Sequence, residues 1–281
     1  MNKIIDGKLI NKELKEKLIK EISKEKAKLN LTVIQVGNNP ASDIYVRNKK
    51  NLCESVGINF IHKKYDDITE ENLIKEIKKL NKDKKITSIL VQLPLPKNIN
   101  EEHIIETIDP LKDVDGLTSN NIGKLFSNKN GIIPCTSLGV LELLKRKKIS
   151  LEGKKVVIVG RSKLVGLPLI SLMLKENATV TVCHSKTKKL KDETKQADIL
   201  IVAVGSPKLI KKDYVKENVI IIDVGINRLE KGICGDVDFD KIKEKTKLIT
   251  PVPGGVGPMT VVMLVNNVIK CYKLQKNIVE K

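Results

Sequence analysis

Tryptophan is absent from this 281-residue chain, and only three phenylalanines and four tyrosines are present. Proteins that hold single-stranded nucleic acid stack bases on aromatic rings, so the formal charge of +18 lacks the platforms that would turn it into a nucleic-acid surface. The excess is nearly all lysine, spread over segments such as 12–28 and 75–85 that are predicted helix faces. It reads as a solvated coat that would still attract small polyanionic ligands. Cysteine is sparse and scattered: Cys53, Cys135, Cys183, Cys234 and Cys271 are odd in number and contain no C-x-x-C pair. Neither a disulfide framework nor a zinc site is expected. His62, His103 and His184 show no ligand spacing with acidic or cysteine neighbours, so no metal is predicted. Long uncharged apolar runs are missing too, and the N-terminal Met1-Asn-Lys-Ile-Ile-Asp-Gly7 has no signal-peptide core. A cytoplasmic protein without a membrane partner is expected.

With 41% hydrophobic residues the chain can bury a substantial core, and its length suits two α/β domains. Leu9, Ile10, Leu14, Leu18, Ile19 and Ile22 recur at helical spacing, and strand-like Leu31-Thr-Val-Ile-Gln-Val36 follows. Ser42 is a plausible N-cap for a helix ending before Gly57. Strands are predicted at 58–61 and 86–91 around a helix near 69–80. A second series opens with Lys155-Val-Val-Ile-Val-Gly160 and continues through 179–183, 199–204, 219–224 and Leu248-Ile249. The alternation predicts parallel sheets, the second of them a Rossmann-like nucleotide-binding domain. The helix 137–147 is expected to bridge the two halves, and the apolar segment 259–269 to return as a helix to the first. The resulting division is 1–136 completed by 258–281, and 137–257.

Two stretches carry chemistry through their backbone. Gly160-Arg-Ser-Lys-Leu-Val-Gly166-Leu-Pro168 follows a predicted strand and opens a predicted helix, the setting of a phosphate-binding turn, although the spacing departs from G-x-G-x-x-G. A site for NAD places an acid about 20 residues on, to bind the ribose diol. Here the corresponding Val182-Cys-His-Ser-Lys186 has none, and its hydroxyl and basic groups, with Arg161, suit the 2′-phosphate of NADP. Thr250-Pro-Val-Pro-Gly-Gly-Val-Gly-Pro-Met-Thr260 is an uncharged loop of three prolines and three glycines, a composition that gives a shaped, ligand-lining backbone.

Side-chain chemistry concentrates in the first half. Tyr45 and Lys49 lie at i and i+4, on one face of a helix that follows the turn Gly37-Asn-Asn-Pro-Ala-Ser42. Alone this pair says little, since Tyr272 and Lys276 repeat it. The turn, however, ends a strand, where open α/β sheets place ligands. Proline stops the strand in Val91-Gln-Leu-Pro-Leu-Pro96 and presents Gln92 at that edge. Lys112-Asp-Val-Asp-Gly116 offers Asp115, with a surface turn as its plain alternative.

Together, Asp43-Ile-Tyr-Val-Arg-Asn-Lys49, Val91-Gln-Leu-Pro-Leu95, Lys112-Asp-Val-Asp-Gly116, Pro134-Cys-Thr136, the 160–168 turn, Asp223-Val-Gly-Ile-Asn227 and Pro251–Thr260 resemble the bifunctional methylenetetrahydrofolate dehydrogenase/cyclohydrolase family over almost the whole chain. The resemblance implies NADP-dependent oxidation of 5,10-methylenetetrahydrofolate to the methenyl form, and its hydrolysis to 10-formyltetrahydrofolate in an overlapping site. It implies that Lys49 acts chiefly in hydrolysis, with Gln92 bonded to it, Tyr45 along the folate rings and Asp115 on the guanidine-like edge of the pterin. A lysine works as a base only where its charged form is disfavoured, and an amide partner suits that better than a carboxylate. By the same resemblance Val91, Leu93, Pro253, Gly254, Gly255, Val256 and Gly257 line the substrate, the last five where folate meets cofactor. Gly160, Arg161, Ser162, Ser185 and Ile226 hold NADP, and the protein forms a homodimer. The alternatives are a shikimate-dehydrogenase-like oxidoreductase, against which the Val-Gln-Leu-Pro-Leu and Pro-Gly-Gly-Val-Gly-Pro-Met-Thr blocks argue, and a non-catalytic folate- or nucleotide-binding protein.

Overall fold

The computed structural model describes residues 3–25, 28–230 and 232–278. Its chain divides into two compact units. One comprises 14–135 and 261–281, the other 1–13 and 136–260. The chain passes between them within its first helix, at residue 135, and within its last helix. The first 13 residues thus differ from the expected 1–136 segment. Ile5 N–H donates to the Ile249 carbonyl and Ile249 N–H to that of Lys3, which adds this segment to the strand Thr246–Ile249.

In the first unit, α1 (Gly7–Ile22, shared with the other unit) leads to β1 (Asn30–Val36), α2 (Pro40–Ser55), β2 (Asn59–Tyr65), α3 (Glu70–Lys82), β3 (Ser88–Val91), α4 (Glu101–Thr107) and α5 (Ser119–Phe126). The strands are parallel in the order β2-β1-β3. Ile34, Val36, Ile89 and Val91 pack on Leu73, Ile77 and Leu80, because period-two residues of the strands meet the i, i+4 and i+7 stripe of α3. Helix α2 starts earlier than expected. Asn39, not Ser42, is the N-cap, its Oδ1 accepting from Ala41 N–H, and Pro40 occupies the first turn, where its missing N–H costs nothing. Ser42 is instead buried in that turn.

The second unit holds α6 (Cys135–Arg146, its first residue in the other unit), β4 (Lys155–Val159), α7 (Gly166–Lys175), β5 (Thr179–Cys183), α8 (Leu190–Lys195), β6 (Ile199–Val202), β7 (Val219–Asp223), β8 (Asn227–Leu229), β9 (Gly232–Cys234), α9 (Phe239–Ile242), β10 (Thr246–Ile249) and the start of α10 (Val256–Gln275). Five parallel strands run β10-β7-β6-β4-β5, a doubly wound order in which the chain leaves β4 for β5 on one side and returns to β6 on the other. That reversal creates a crevice at the carboxyl ends of β4 and β6. The inner strands β4, β6 and β7 are Val- and Ile-rich and buried on both faces, as parallel strands covered by helices must be. The antiparallel pair β8-β9 was not expected from the sequence. Helix α10 begins at Val256, three residues before the expected start, with Pro258 tolerated in its first turn. No helix among the described residues is long and apolar enough to cross a membrane.

Candidate active site

Within the first unit the predicted catalytic side chains gather at the carboxyl edge of β1 and β3. Gln92 N–H donates to the Ile34 carbonyl at 2.8 Å, so Gln92 leaves β3 tied to the middle of the sheet. Its side chain is buried and doubly engaged: Nε2 donates to the Leu93 carbonyl at 2.7 Å and Oε1 accepts from Lys49 Nζ at 3.0 Å. The first bond fixes the amide, because a flipped group would set its NH2 against the ammonium. Lys49 projects half-buried from α2, one turn after Tyr45, whose ring is 37% exposed and open to a ligand face. Val91 is buried under this edge and Leu93 is half-buried beside it.

Asp115 is held by a structure the sequence reading did not anticipate. Lys112-Asp-Val-Asp-Gly116 is no solvated turn. Lys112 is buried and Nζ donates to the carbonyls of Leu80 and Asp83, while desolvation lowers its pKa. Asp113, 2% exposed, accepts from Gly116 N–H and Thr118 N–H and from Asn121 Nδ2. Burial raises its pKa against these hydrogen bonds. The Asp-x-x-Gly spacing is a side-chain-closed turn signal that could have marked Asp113 as the structural member of the pair. Asp115, two residues on, is left half-buried and available.

Cys135 is the further residue here to which sequence reasoning gave no role. It is buried, donates to the Val114 carbonyl at 3.5 Å and accepts from Asn267 Nδ2 at 3.4 Å. Burial pushes the thiol well above its ordinary range, Asp115 raises it further by charge and hydrogen bonding, and the Lys49 ammonium opposes them. Lys49, Gln92 and Asp115 therefore converge on one locality, with a base candidate, a neutral acceptor that holds it, and a carboxylate able to pair with a planar two-donor edge.

In the second unit the 160–168 turn has the form a phosphate site needs. Gly160, at φ +125°, ends β4 so close to β6 that a Cβ would lie 2.3 Å from the Ala203 carbonyl oxygen. A Cβ on Gly166 would lie 2.3 Å from the Gly160 carbonyl oxygen, so both glycines are required for the close approach of strand, turn and helix. Ser162 Oγ accepts from Val165 N–H, and Arg161 and Ser162 are exposed. After β5, the chain turns through hydrogen bonds from His184 N–H to Thr187 Oγ1 and from Lys186 N–H to His184 Nδ1, leaving Ser185 exposed. Ile226, beyond β7, is 43% exposed. The residues thus fit a dinucleotide whose adenosine ribose carries a phosphate, since no carboxylate stands at the end of β5. The Pro253–Gly257 backbone folds on the N-terminal segment of the same unit: Gly7 N–H donates to the Gly254 carbonyl, and a Cβ on Gly7 would overlap the Gly255 carbonyl oxygen. Pro253 is exposed while Gly254, Gly255 and Val256 are buried.

Family models match both regions. The tetrahydrofolate dehydrogenase/cyclohydrolase catalytic domain matches residues 5–115, and the NAD(P)-binding domain of the same family matches 134–276. The chain belongs to the tetrahydrofolate dehydrogenase/cyclohydrolase family. The bifunctional protein FolD of Agathobacter rectalis is 52% identical over 278 residues, 97% of this chain and 100% of that protein. That of Bacillus subtilis is 50% identical over 275 residues, covering 96% and 97%. Among solved structures, the Campylobacter jejuni FolD dehydrogenase/cyclohydrolase superposes with a TM-score of 0.94 at 47% identity, covering 97% of this chain and 99% of that one. The Trypanosoma brucei dehydrogenase-cyclohydrolase, complexed with NADP cofactor and inhibitor, gives 0.92 at 35%, covering 97% and 98%. The Thermus thermophilus shikimate 5-dehydrogenase in complex with NADP(H) and shikimate reaches only 0.54 at 14% identity over 90% and 95% of the chains, a likeness of fold alone. The shikimate-dehydrogenase alternative is not favoured. Among the described residues no group of three or more His, Cys, Asp or Glu is placed to hold a metal ion.

Proposed function

We infer that the protein oxidises 5,10-methylenetetrahydrofolate to 5,10-methenyltetrahydrofolate with NADP, then hydrolyses that cation to 10-formyltetrahydrofolate, as an enzyme of one-carbon metabolism. The Lys49–Gln92 hydrogen bond carries this reading, because it sets an amine against a neutral acceptor in a chain whose two halves match the two domains of the family. For oxidation, NADP supplies the hydride acceptor for the carbon bridging the two folate nitrogens, and the protein supplies proximity and alignment. Gly160, Arg161, Ser162, Ser185 and Ile226 hold the cofactor, the exposed Arg161 being the cation for a phosphate. Asp115 orients the pterin through paired hydrogen bonds, and Tyr45 packs along the rings with Val91 and Leu93 beneath. The Pro253–Gly257 backbone contributes substrate contacts through its rigid main chain. In hydrolysis, water bonds to the methenyl carbon while Lys49 takes its proton. Cleavage of one carbon–nitrogen bond then leaves the formyl group on N10 and a proton on N5. Gln92 keeps the amine in reach without adding a negative charge.

The family resemblance further supports a cytoplasmic homodimer; of the two units, the one of residues 14–135 and 261–281 would bind folate and the one of 1–13 and 136–260 the cofactor. An assay of methylenetetrahydrofolate oxidation with NADP and with NAD, paired with methenyltetrahydrofolate hydrolysis without cofactor, tests the function. Cofactor reduction with NADP and cofactor-independent hydrolysis are expected. No reduction of either cofactor would remove the dehydrogenase. Sedimentation of the purified protein tests the dimer.

A further inference from the structure

Two buried carboxylates in the second unit have no part in the proposed chemistry. Asp223 ends β7, and Asp236 follows β9; they are 2% and 0% exposed. Among the described residues neither pairs with a cation, and each is instead surrounded by amides. Asp236 Oδ2 accepts from Val204 N–H at 2.7 Å and Gly205 N–H at 3.0 Å, and Oδ1 accepts from Ser206 N–H and Asn227 Nδ2, both at 2.8 Å. Three successive amides in the loop beyond β6 are thus bound to the same side chain that holds the residue after Ile226. Asp223 completes the arrangement, accepting from the N–H groups of Gly225, Asp236 and Val237.

The two loops interlock sterically as well. A Cβ on Gly225 would lie 2.2 Å from Asp236 Cγ, and one on Gly235 would lie 1.9 Å from Asp223 Oδ2. Each carboxylate occupies the space that a glycine opposite it leaves. Segment 208–210 is hydrogen-bonded alongside 235–238, so the loop after β6 is fastened along its length. Burying a carboxylate is costly unless its oxygens are filled, and four donors on one group give a fixed geometry in return.

We propose that Asp236 is a positioning residue for the cofactor: its carboxylate shapes the 204–206 backbone and, through Asn227, sets Ile226, forming one lip of the dinucleotide crevice at the carboxyl ends of β4, β6 and β7. This rests on the assignment of that crevice to NADP. Val204 and Ile226 are apolar yet 38% and 43% exposed on the two loops that Asp236 joins. Such residues suit contact with a planar ring, and their placement depends on a side chain that touches no ligand. Replacing Asp236 by Asn keeps its shape but sets an amino group against two N–H donors in either orientation, Val204 and Gly205 on one side or Ser206 and Asn227 Nδ2 on the other, so the loops must separate.

The test is NADP binding by titration calorimetry, with hydrolysis of methenyltetrahydrofolate in the absence of cofactor as a reference for folding. Asp236→Asn is expected to raise the NADP Kd at least tenfold while hydrolysis stays within twofold of wild type. Asn227→Ala removes one of the four donors and keeps the carboxylate filled by the other three. It is expected to raise the Kd severalfold, which covers the case of an Asp236 variant that fails to fold. Wild-type Kd values in both folded variants would overturn the proposal while leaving the cofactor assignment intact. Equal loss of hydrolysis and binding would also overturn it, by making Asp236 a residue of general stability. Absence of NADP binding in the wild-type protein would instead remove the cofactor assignment itself.

Discussion

Lys49 Nζ donates to Gln92 Oε1 across 3.0 Å, and Gln92 cannot turn away because its own amide nitrogen is committed to the Leu93 carbonyl at 2.7 Å. An amine held this way is fixed in position by a neutral partner. Lys49→Met is therefore expected to reduce methenyltetrahydrofolate hydrolysis by about 10²–10⁴-fold, the usual share of general acid–base catalysis, with an unchanged circular dichroism spectrum. Gln92→Glu keeps the reach but substitutes an anion, which favours the charged amine. Its hydrolysis should fall and recover in part as pH rises. A wild-type rate in Lys49→Met would take Lys49 out of the reaction.

Asn267 of α10 holds the residue that precedes Asp115. The Asn267 amide nitrogen donates to the carbonyls of Val114 and Ile133, both at 2.9 Å, and the side chain is fully buried. Asn267→Ala leaves those two carbonyls without that donor, at a cost of about 1–3 kcal/mol. A lowered urea midpoint together with a raised KM for methylenetetrahydrofolate is the expected result. A variant with the stability loss and an unchanged KM would separate Asn267 from the positioning of Asp115.

The parts legible from the chain were those governed by local pattern. Alternating Val and Ile runs announced the parallel strands, and the i, i+4 spacing put Tyr45 and Lys49 on one helix face, because strand and helix periods are written in consecutive residues. Gly160 was legible as the end of a strand before a helix. What escaped was set by distant partners. Asn39 rather than Ser42 caps α2 because Pro40 preselects the first turn. Residues 3–13 join the second unit because their edge matches β10. The buried carboxylates of Asp113, Asp223 and Asp236 are held by N–H groups that meet them only in the folded chain, and composition carries no trace of such donors.

Gly160 offers the sharpest steric test of the cofactor turn. At φ +125° a side chain is strained, and a Cβ would press on the Ala203 carbonyl oxygen at 2.3 Å. Gly160→Ala is expected to cost about 1–3 kcal/mol of stability through backbone strain. It should also weaken NADP binding more than tenfold by forcing β4 and β6 apart at the crevice. Calorimetric titration with NADP checks this. Retained affinity would mean that the approach of Gly160 to Ala203 does not shape the cofactor site.

All five cysteines are free thiols, but only one is accessible. Cys53, Cys135, Cys183 and Cys271 are buried, and burial pushes the Cys53 thiol up to about 12 and those of Cys135 and Cys271 well above the ordinary range. Thiolate is the reacting form, so these groups should be inert in the folded protein. Ellman's reagent is expected to titrate Cys234 alone under native conditions and all five cysteines in guanidinium. Rapid native modification of a second thiol, identified by peptide mass, would contradict the burial of that cysteine.

Asp223 gives the pH dependence a definite sign. Burial raises its pKa to about 7, with the amides of Asp236, Val237 and Gly225 pulling it down and the neighbouring Asp236 carboxylate adding to the rise. In the unfolded chain the same group titrates near 4. Between pH 4 and 7 the native state therefore binds more protons at this site than the unfolded state does, and its contribution to stability declines as pH rises, levelling off above 7. The difference is of order 4 kcal/mol across that window at about 1.4 kcal/mol per pH unit. Other carboxylates act in the opposite direction: Asp198, hydrogen-bonded to Lys216 and to Lys155 N–H, has a lowered pKa and contributes stability that is lost toward acid. The observable is therefore the difference between urea unfolding curves of the wild type and Asp223→Asn. An asparagine does not titrate, so the stability of the variant relative to wild type should increase steadily from pH 4 to 7 and stay constant beyond. A difference independent of pH would mean that Asp223 carries the same charge in the folded and unfolded protein across that range, and that its three amide donors outweigh its burial.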